Sequence, residues 1–144
     1  SIQWDLNYFK YCFLKATGLE FQEDLLENEF ERLAYILLNT QDMCAFMYRD
    51  FQSRNVMICK DSNGEDVPYF IDFQGGRRGP LYYDVASFLW QAKANFHPNL
   101  REELLEEYLD ELQKYISVDR NVFYDTLKHF VLFATSPVCT CNAC

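Results

Sequence analysis

The spacing of hydrophobic residues predicts a mostly helical chain that contains one β-hairpin. In five segments the apolar residues recur every three or four positions, the repeat that places them on one face of a helix. We predict helices over Trp4–Lys15, Gln22–Leu38, Asp84–Lys93, His97–Ile116 and Val122–Ala134. The first helix should end at Thr17-Gly18, because a glycine commonly follows the last helical turn. Asp84 is the predicted N-cap of the third helix.

Two of these helices carry a long apolar stripe that we expect to be buried. On the second helix the stripe consists of Leu25, Leu26, Phe30, Leu33, Ala34 and Leu37. On the fourth helix it consists of Leu104, Leu105, Tyr108, Leu109, Leu112 and Ile116. Acidic residues occupy most of the opposite faces, as is typical of helices that lie between a core and solvent.

Two short segments with alternating side chains predict the hairpin. They are Val56–Lys60 and Val67–Ile71, and Asn63-Gly64 lies between them. Asn-Gly favours a two-residue turn, which pairs Ser62 with Glu65. The same register pairs Asn55 with Asp72 at the open end, with Cβ atoms about 5 Å apart. An amide oxygen and a carboxylate in that arrangement can share a divalent cation, and magnesium prefers such oxygen ligands.

A polar loop, residues 48–55, leads into the hairpin and follows the apolar run Ala45-Phe46-Met47. It contains Asp50, five positions before Asn55, which is close enough to line the same cleft and to accept a proton from an attacking hydroxyl. Together the three polar residues form a layout suited to phosphoryl transfer. The alternative is that each of them only stabilises a turn, which is a common role of Asp and Asn.

These residues resemble the catalytic segments of kinase-like enzymes. The loop Y-R-D-F-Q-S-R-N, residues 48–55, is similar to the motif H-R-D-x-x-x-x-N, and I-D-F-Q, residues 71–74, is similar to the metal-binding segment that follows it. With G-P-L-Y-Y-D-V-A-S, residues 79–87, the pattern most resembles the aminoglycoside phosphotransferase and choline kinase superfamily, and within it the bacterial amino-sugar kinase branch. The likeness extends from Trp4 to Phe133.

The resemblance assigns a role to each of these residues. Asp50 would be the catalytic base, with Arg49 beside it in the motif, and Asn55 and Asp72 would hold Mg²⁺. Asp84, buried, would brace the catalytic loop. Tyr48 stands where the family usually has His, a change that alters packing and hydrogen bonding around the loop. Further contacts to substrate or phosphate would come from Gln52, Arg54, Gln74, Arg77 and Arg78.

The segment after the hairpin has two interpretations. Arg77 and Arg78 can meet phosphate or an acidic substrate group, and Gly75 and Gly76 can offer backbone N–H groups. A solvated surface loop over residues 75–80 explains the same composition.

The resemblance covers one lobe of a kinase only. No strand-borne lysine and no glycine-rich loop, the parts that bind the phosphates of ATP, precede Asp50. We therefore predict an α+β, mostly α-helical fold: the C-terminal lobe of a protein-kinase-like fold, with a small β-hairpin bearing the metal ligands. Residues 1–135 would form this lobe, and residues 136–144 an irregular cysteine-rich tail, truncated or frame-altered. The missing N-terminal lobe would be its partner.

The six cysteines divide into two groups. Cys12, Cys44 and Cys59 stand singly in apolar stretches, which predicts reduced, buried side chains. Cys139, Cys141 and Cys144 crowd the tail. Three thiolates can join a shared zinc ion, although no fourth ligand stands nearby and the spacing differs from the paired cysteines of common zinc sites.

Charge and composition exclude several classes of protein. The chain has 144 residues and a net charge of −9, which repels nucleic acids and anionic membranes. Its apolar runs fall far short of the ~20 residues of a membrane span. We expect a cytoplasmic phosphotransferase lobe that moves the γ-phosphate of ATP to a hydroxyl of a small sugar or amino sugar, inactive without its other lobe. The alternative is a noncatalytic kinase-like module that binds a ligand or partner.

Overall fold

The computed structural model describes residues 2–40 and 44–135. Within these ranges the chain forms five α-helices and four short strands. In chain order they are α1 (Ile2–Phe9), α2 (Glu23–Asn39), β1 (Cys44–Met47), β2 (Val56–Lys60), β3 (Asp66–Phe70), β4 (Arg77–Pro80), α3 (Leu81–Leu89), α4 (Pro98–Leu112) and α5 (Arg120–Thr135). The predicted α+β, mostly helical fold class is confirmed. The cysteine-rich tail and its zinc interpretation lie outside the described residues.

The first helix changes its geometry halfway. After α1 the chain continues as a π-helical segment, Lys10–Leu14, and Gly18 ends it with a positive φ of 69°. The Lys10 side chain is only 1% exposed and its ammonium forms ion pairs with Glu23, at 3.0 Å, and Glu27, at 2.6 Å. These carboxylates raise the pKa of Lys10 well above its ordinary value, which keeps the buried amine charged. The contact fastens the first helical segment to α2.

One hydrophobic core joins all five helices. Leu109 of α4 and Ala86 of α3 are fully buried, and the Tyr82 ring packs between Phe123 and Phe130 of α5. The predicted stripes are mostly confirmed, with two exceptions. Leu25 is 59% exposed, because it lies at the edge of the stripe next to Leu26, which takes the inward position. Ile116 is 37% exposed because α4 ends at Leu112.

The four strands form two separate antiparallel pairs. β1 pairs with β4, so the segment predicted as a loop over residues 75–80 is partly a strand. The pairing places Gly79 opposite Ala45 and beside the buried Met47, whose Sδ is 2.9 Å from where a Cβ on Gly79 would lie. A Cβ at this position would therefore displace the end of the Met47 side chain. The sequence has no alternating pattern that predicts β4.

The hairpin exists as predicted, but the predicted register is wrong by one residue. Val56 pairs with Phe70 and Lys60 with Asp66. Asp61 accepts from Gly64 N–H and donates its own N–H to Glu65 O, which encloses three residues in the turn instead of two. Gly64, with a φ of 83°, supplies the left-handed position that such a turn requires. Asn55 is therefore hydrogen-bonded opposite Ile71 and not opposite Asp72.

Two smaller expectations are also corrected. Pro80, and not Asp84, is the N-cap of α3, because the helix begins three residues earlier than predicted and takes Asp84 into its first turn. Cys12, Cys44 and Cys59 are free thiols as expected, yet Cys12 and Cys59 are exposed and Cys44 is half-buried. None of the described helices is long and apolar enough to cross a membrane.

Candidate active site

A single carboxylate holds the start of the polar loop in place. Asp84, on the first turn of α3, accepts the backbone N–H of Tyr48 through Oδ2 and that of Arg49 through Oδ1, the latter at 2.8 Å. Hydrogen bonds to a charged acceptor are about twice as strong as neutral ones. Asp84 thus joins the loop to the helical core, through which α3 passes.

The end of the loop is closed by Asn55. Its side chain is 6% exposed, and Nδ2 donates to the backbone carbonyl of Asp50 at 2.8 Å. The Asn55 N–H also donates to Gln52 O at 2.9 Å, which forms the short 3₁₀ turn Ser53–Asn55. One buried amide therefore sets the distance between the two ends of the segment that carries Asp50.

Aromatic stacking fixes the middle of the loop. The Phe51 ring stacks on Phe88 of α3 with centroids 4.6 Å apart and also contacts Phe70 of β3 at 5.7 Å. Tyr48 packs against both Phe51 and Phe70, and its hydroxyl donates to Ile71 O. The loop is thereby held between α3 and the open end of the hairpin.

Backbone strain is concentrated at this site. Among the described residues, the non-glycine residues with a positive φ are Arg49 (79°), Asp72 (66°) and Asn95 (44°). The first two belong to the motif segments, and each costs on the order of 1 kcal/mol or more unless its surroundings hold it. Asp84 holds the backbone at Arg49, and the Gln74 side chain donates to Oδ1 of Asp72.

Three carboxylates converge on Tyr48. Burial raises the pKa of its hydroxyl, and the negative charges of Asp72, Asp50 and Asp84 act in the same direction. Burial also raises the pKa of Asp84, an effect that the Tyr48 and Arg49 N–H groups oppose and the charge of Asp50 reinforces. The site therefore concentrates negative charge around the loop, which is the environment that a divalent cation favours.

Asn55 and Asp72 fit a magnesium site by their chemistry, although not by the pairing first predicted. They flank the hairpin, Asn55 before β2 and Asp72 after β3, and neither lies on a strand. One amide and one carboxylate oxygen leave most of a magnesium octahedron to water and substrate phosphates, as is usual for this ion. No cluster of three or more His, Cys, Asp or Glu side chains that could hold a metal occurs among residues 2–40 and 44–135.

Two clefts adjoin the loop. The smaller, of about 340 Å³, is lined by Asp50, Gln52 and Arg54. The larger, of about 760 Å³, is lined by Arg77 and Arg78 of β4. The exposed Arg49 side chain lines both. The N–H of Gly76, in contrast, is taken by Phe73 O at 2.9 Å and is not offered to a ligand.

Three residues at this site were not foreseen. Gln91 accepts from both the N–H and the hydroxyl of Ser53, at 3.0 and 2.8 Å, and so holds the 3₁₀ turn. Phe88 supplies the stacking surface, and Lys93 lines the smaller cleft. A polar Gln directly after the apolar stripe of α3 was the signal available for Gln91. Lys93 carries no such signal, because exposed lysines are common.

A comparison with known proteins identifies the family of the chain. A mostly helical lobe with a hairpin and an anchored Y-R-D-F-Q-S-R-N loop is of the kinase-like class. The model of the phosphotransferase enzyme family matches residues 7–117, most of the chain, and the chain belongs to this family. The predicted superfamily is confirmed. The amino-sugar branch stays a prediction.

A curated relative lies in the same superfamily. Probable choline kinase 3 of Arabidopsis thaliana is 25% identical over 126 residues, which cover 67% of this chain and 35% of the plant protein. The chain therefore spans about a third of the length of this relative. No solved structure gives a significant match.

Proposed function

We propose that the chain is the catalytic lobe of an ATP-dependent phosphotransferase that acts on a hydroxyl of a small sugar or amino sugar. Asp50 would accept the proton from that hydroxyl as its oxygen attacks the γ-phosphorus. The bond between the γ-phosphorus and the bridging oxygen would break, and ADP would leave. Mg²⁺, held by Asn55 and Asp72, would neutralise the phosphate charge when bound. We also propose Arg49, which precedes Asp50 in the loop, as a catalytic residue of this reaction.

The single observation that carries this proposal is the anchored loop. Asp84 fixes its start, Asn55 fixes its end, and Asp50 between them lines a cleft. Rigid positioning of this kind supplies much of the rate enhancement in phosphoryl transfer, where the protein does little covalent chemistry. A turn that served only to connect β1 and β2 would not need a charged anchor on a distant helix.

The remaining parts of the reaction are proposed to lie outside this lobe. Members of the family generally use ATP and Mg²⁺, and we propose that a nucleotide-binding lobe joins residues 1–135 at the face of the larger cleft. Arg77 and Arg78 of that cleft would meet phosphates. Because ATP is the donor, we propose the cytoplasm as the site of action.

The test is magnesium-dependent ATP consumption by the longest natural protein that contains this sequence, against a panel of sugars and amino sugars. Asp50→Asn should lower kcat by at least about a hundredfold, with KM for ATP little changed. Asp125→Asn is the matched control, because it removes another exposed carboxylate, which lies on α5 and lines neither of the two clefts. It should leave activity unchanged.

Two results would count against the proposal. Activity that survives both Asp50→Asn and Asp72→Ala would rule out the roles proposed for these two residues. A folded protein that consumes no ATP with any of the acceptors would favour the noncatalytic binding module instead.

A further inference from the structure

A single amide side chain joins the loop, residues 48–55, to the far end of α3. Gln91 lies two residues beyond Leu89, the last residue of this helix. Its Oε1 accepts the backbone N–H of Ser53 at 3.0 Å and the Ser53 hydroxyl at 2.8 Å. Its Nε2 donates to Phe88 O at 2.8 Å. Gln91 therefore contacts the helix with one end of its amide and the loop with the other.

These partners decide which end of the Gln91 amide faces the loop. A backbone N–H only donates and a backbone carbonyl only accepts, so the oxygen faces Ser53 and the nitrogen faces Phe88. Glutamate at this position would keep the acceptor and lose the donor, whereas alanine would lose both. The two lone pairs of Oε1 are both used by Ser53. Gln91 thus reaches the site through Ser53, since its oxygen has no lone pair left for a ligand.

Ser53 is connected to the proposed base and the proposed metal ligand by a short path. It begins the 3₁₀ turn that ends at Asn55. The Asn55 N–H donates to Gln52 O at 2.9 Å, and its Nδ2 donates to Asp50 O at 2.8 Å. Asn55 is buried, but Ser53 is exposed, so packing alone does not fix the beginning of the turn. A shift of Ser53 would be transmitted to Asn55 and, through its amide, to Asp50.

The contact at Gln91 is the last of a series along α3. The members of the series are, in chain order, Asp84 with Tyr48 and Arg49, Phe88 with Phe51, and Gln91 with Ser53. The order is the same in both segments, so the loop runs alongside α3 in the same direction. Asp84 holds the beginning of the loop, and Gln91 holds the turn near its end.

We propose that Gln91 is a positioning residue of the catalytic loop: it holds the Ser53–Asn55 turn and thereby sets the places of Asp50 and Asn55 relative to each other. This inference rests on the phosphotransferase function proposed above and adds a residue to it. The structural alternative is that Gln91 only caps the end of α3 through Phe88 O.

Two variants of the longest natural protein that contains this sequence separate these roles. Gln91→Ala releases Ser53 and should lower kcat about tenfold and raise the half-saturating Mg²⁺ concentration severalfold, with KM for ATP little changed. Gln91→Glu keeps an acceptor for Ser53 but has no donor for Phe88 O. It should therefore keep kcat within about twofold of the wild type, whereas a mere helix cap would be lost in both variants.

Gln113→Ala is the matched control. Gln113 also follows the end of a helix, α4, and its Nε2 donates to a backbone carbonyl, that of Val118, at 3.3 Å. It lines neither of the two clefts beside the loop. Its replacement should leave kcat and the Mg²⁺ requirement unchanged.

Hydrogen exchange of the protein without nucleotide or metal gives a second readout that does not depend on activity. The amides of Ser53 and Asn55 are hydrogen-bonded within the turn or to Gln91. They should exchange several times faster in Gln91→Ala than in the wild type, and at nearly the wild-type rate in Gln91→Glu. The amides of α2 should exchange equally in all three proteins.

Each remaining outcome decides for or against the inference. Equal losses of kcat in both Gln91 variants would assign Gln91 to the cap of α3 and overturn it. Unchanged exchange at Ser53 and Asn55, or faster exchange with unchanged kcat, would also overturn it and leave the phosphotransferase function standing. If the wild-type protein consumes no ATP with any acceptor, the proposed function fails, and hydrogen exchange alone decides whether Gln91 holds the turn.

Discussion

The helical body and the hairpin region of this molecule are stabilised in different ways. The body, α1 to α5, buries a continuous set of large apolar side chains, including Leu109 and Phe123 at 0% and 1% exposure. The hairpin has no side chain in that core, and Met57, Ile58 and Tyr69 are about half exposed or more. Its own ladder and turn give it shape, and a few contacts join it to the body.

This difference shows which region holds the proposed catalytic loop in position. The loop that carries Asp50 lies between the two regions and contacts both: Asp84 and Phe88 in the body, and Phe70 in the hairpin. A two-stranded hairpin alone is marginal in water. The order of the site therefore depends mostly on α3, and damage to the body should reach the site more readily than damage to the hairpin.

The largest effect is expected from matched truncations in the two regions. Leu109→Ala should lower the free energy of unfolding by about 3–4 kcal/mol, because it leaves a cavity among packed helices. Ile58→Ala, at a side chain 62% exposed, should change it by less than about 0.5 kcal/mol. Urea denaturation measures both. Equal losses of unfolding free energy would mean that the hairpin side chain is packed as tightly as the helical core.

A smaller but more local effect is expected at the anchor. Asp84→Ala leaves the Tyr48 and Arg49 N–H groups without their charged acceptor and should cost about 2–3 kcal/mol. It should also speed hydrogen exchange at those two amides. Asp110→Ala, which removes an exposed α4 carboxylate paired with Arg120, is the control. Unchanged exchange at Tyr48 and Arg49 would show that the loop does not depend on α3.

The register of the hairpin can be tested by crosslinking. Cys59 pairs with Val67, so Val67→Cys should form a disulfide with it on mild oxidation and add about 1–2 kcal/mol to stability. The register predicted from a two-residue turn instead opposes Cys59 to Pro68. Pro68→Cys should therefore crosslink poorly, and the reverse preference would restore the earlier register.

The smallest effect is a pH dependence. Burial raises the pKa of Asp84, so the folded protein binds this proton more tightly than the unfolded chain does. The favourable contribution is complete below the unfolded pKa of about 3.9 and is lost as the pH rises through the folded-state pKa. Relative to Asp84→Asn, the wild-type protein should therefore gain stability as the pH falls from 7 to 4. A relative loss of stability would mean that folding lowers the pKa of Asp84 instead of raising it.

Much of the helical body was predictable from the sequence because its signal is local. A repeat of three to four residues is visible within one helix, and α2, α4 and α5 were found within a few residues of their ends. β4 was missed, since Arg77-Arg78-Gly79-Pro80 has no strand pattern and becomes a strand only through its partner β1. Tertiary context decides such segments.

At the site, too, local signals were predictable and contacts between distant segments were not. The motif residues came from spacing and resemblance, but the hairpin register depended on the turn. Asp61 accepts from the N–H groups of Asn63 and Glu65, which favours the three-residue turn over the Asn-Gly turn. An Asp that opens a turn ending in Gly was a readable signal for it. The stacking of Phe51 on Phe88 could not be predicted, because it is a contact between distant segments.

The anchor at Asp84 also has a consequence for the order of events during synthesis. Tyr48 leaves the ribosome 36 residues before the carboxylate that holds its N–H. α3 in turn needs α5, because Tyr82 packs between Phe123 and Phe130. Domains mature as units while they emerge. A nascent chain that halts before α5 would hence contain every residue of the loop motif without the scaffold that arranges them.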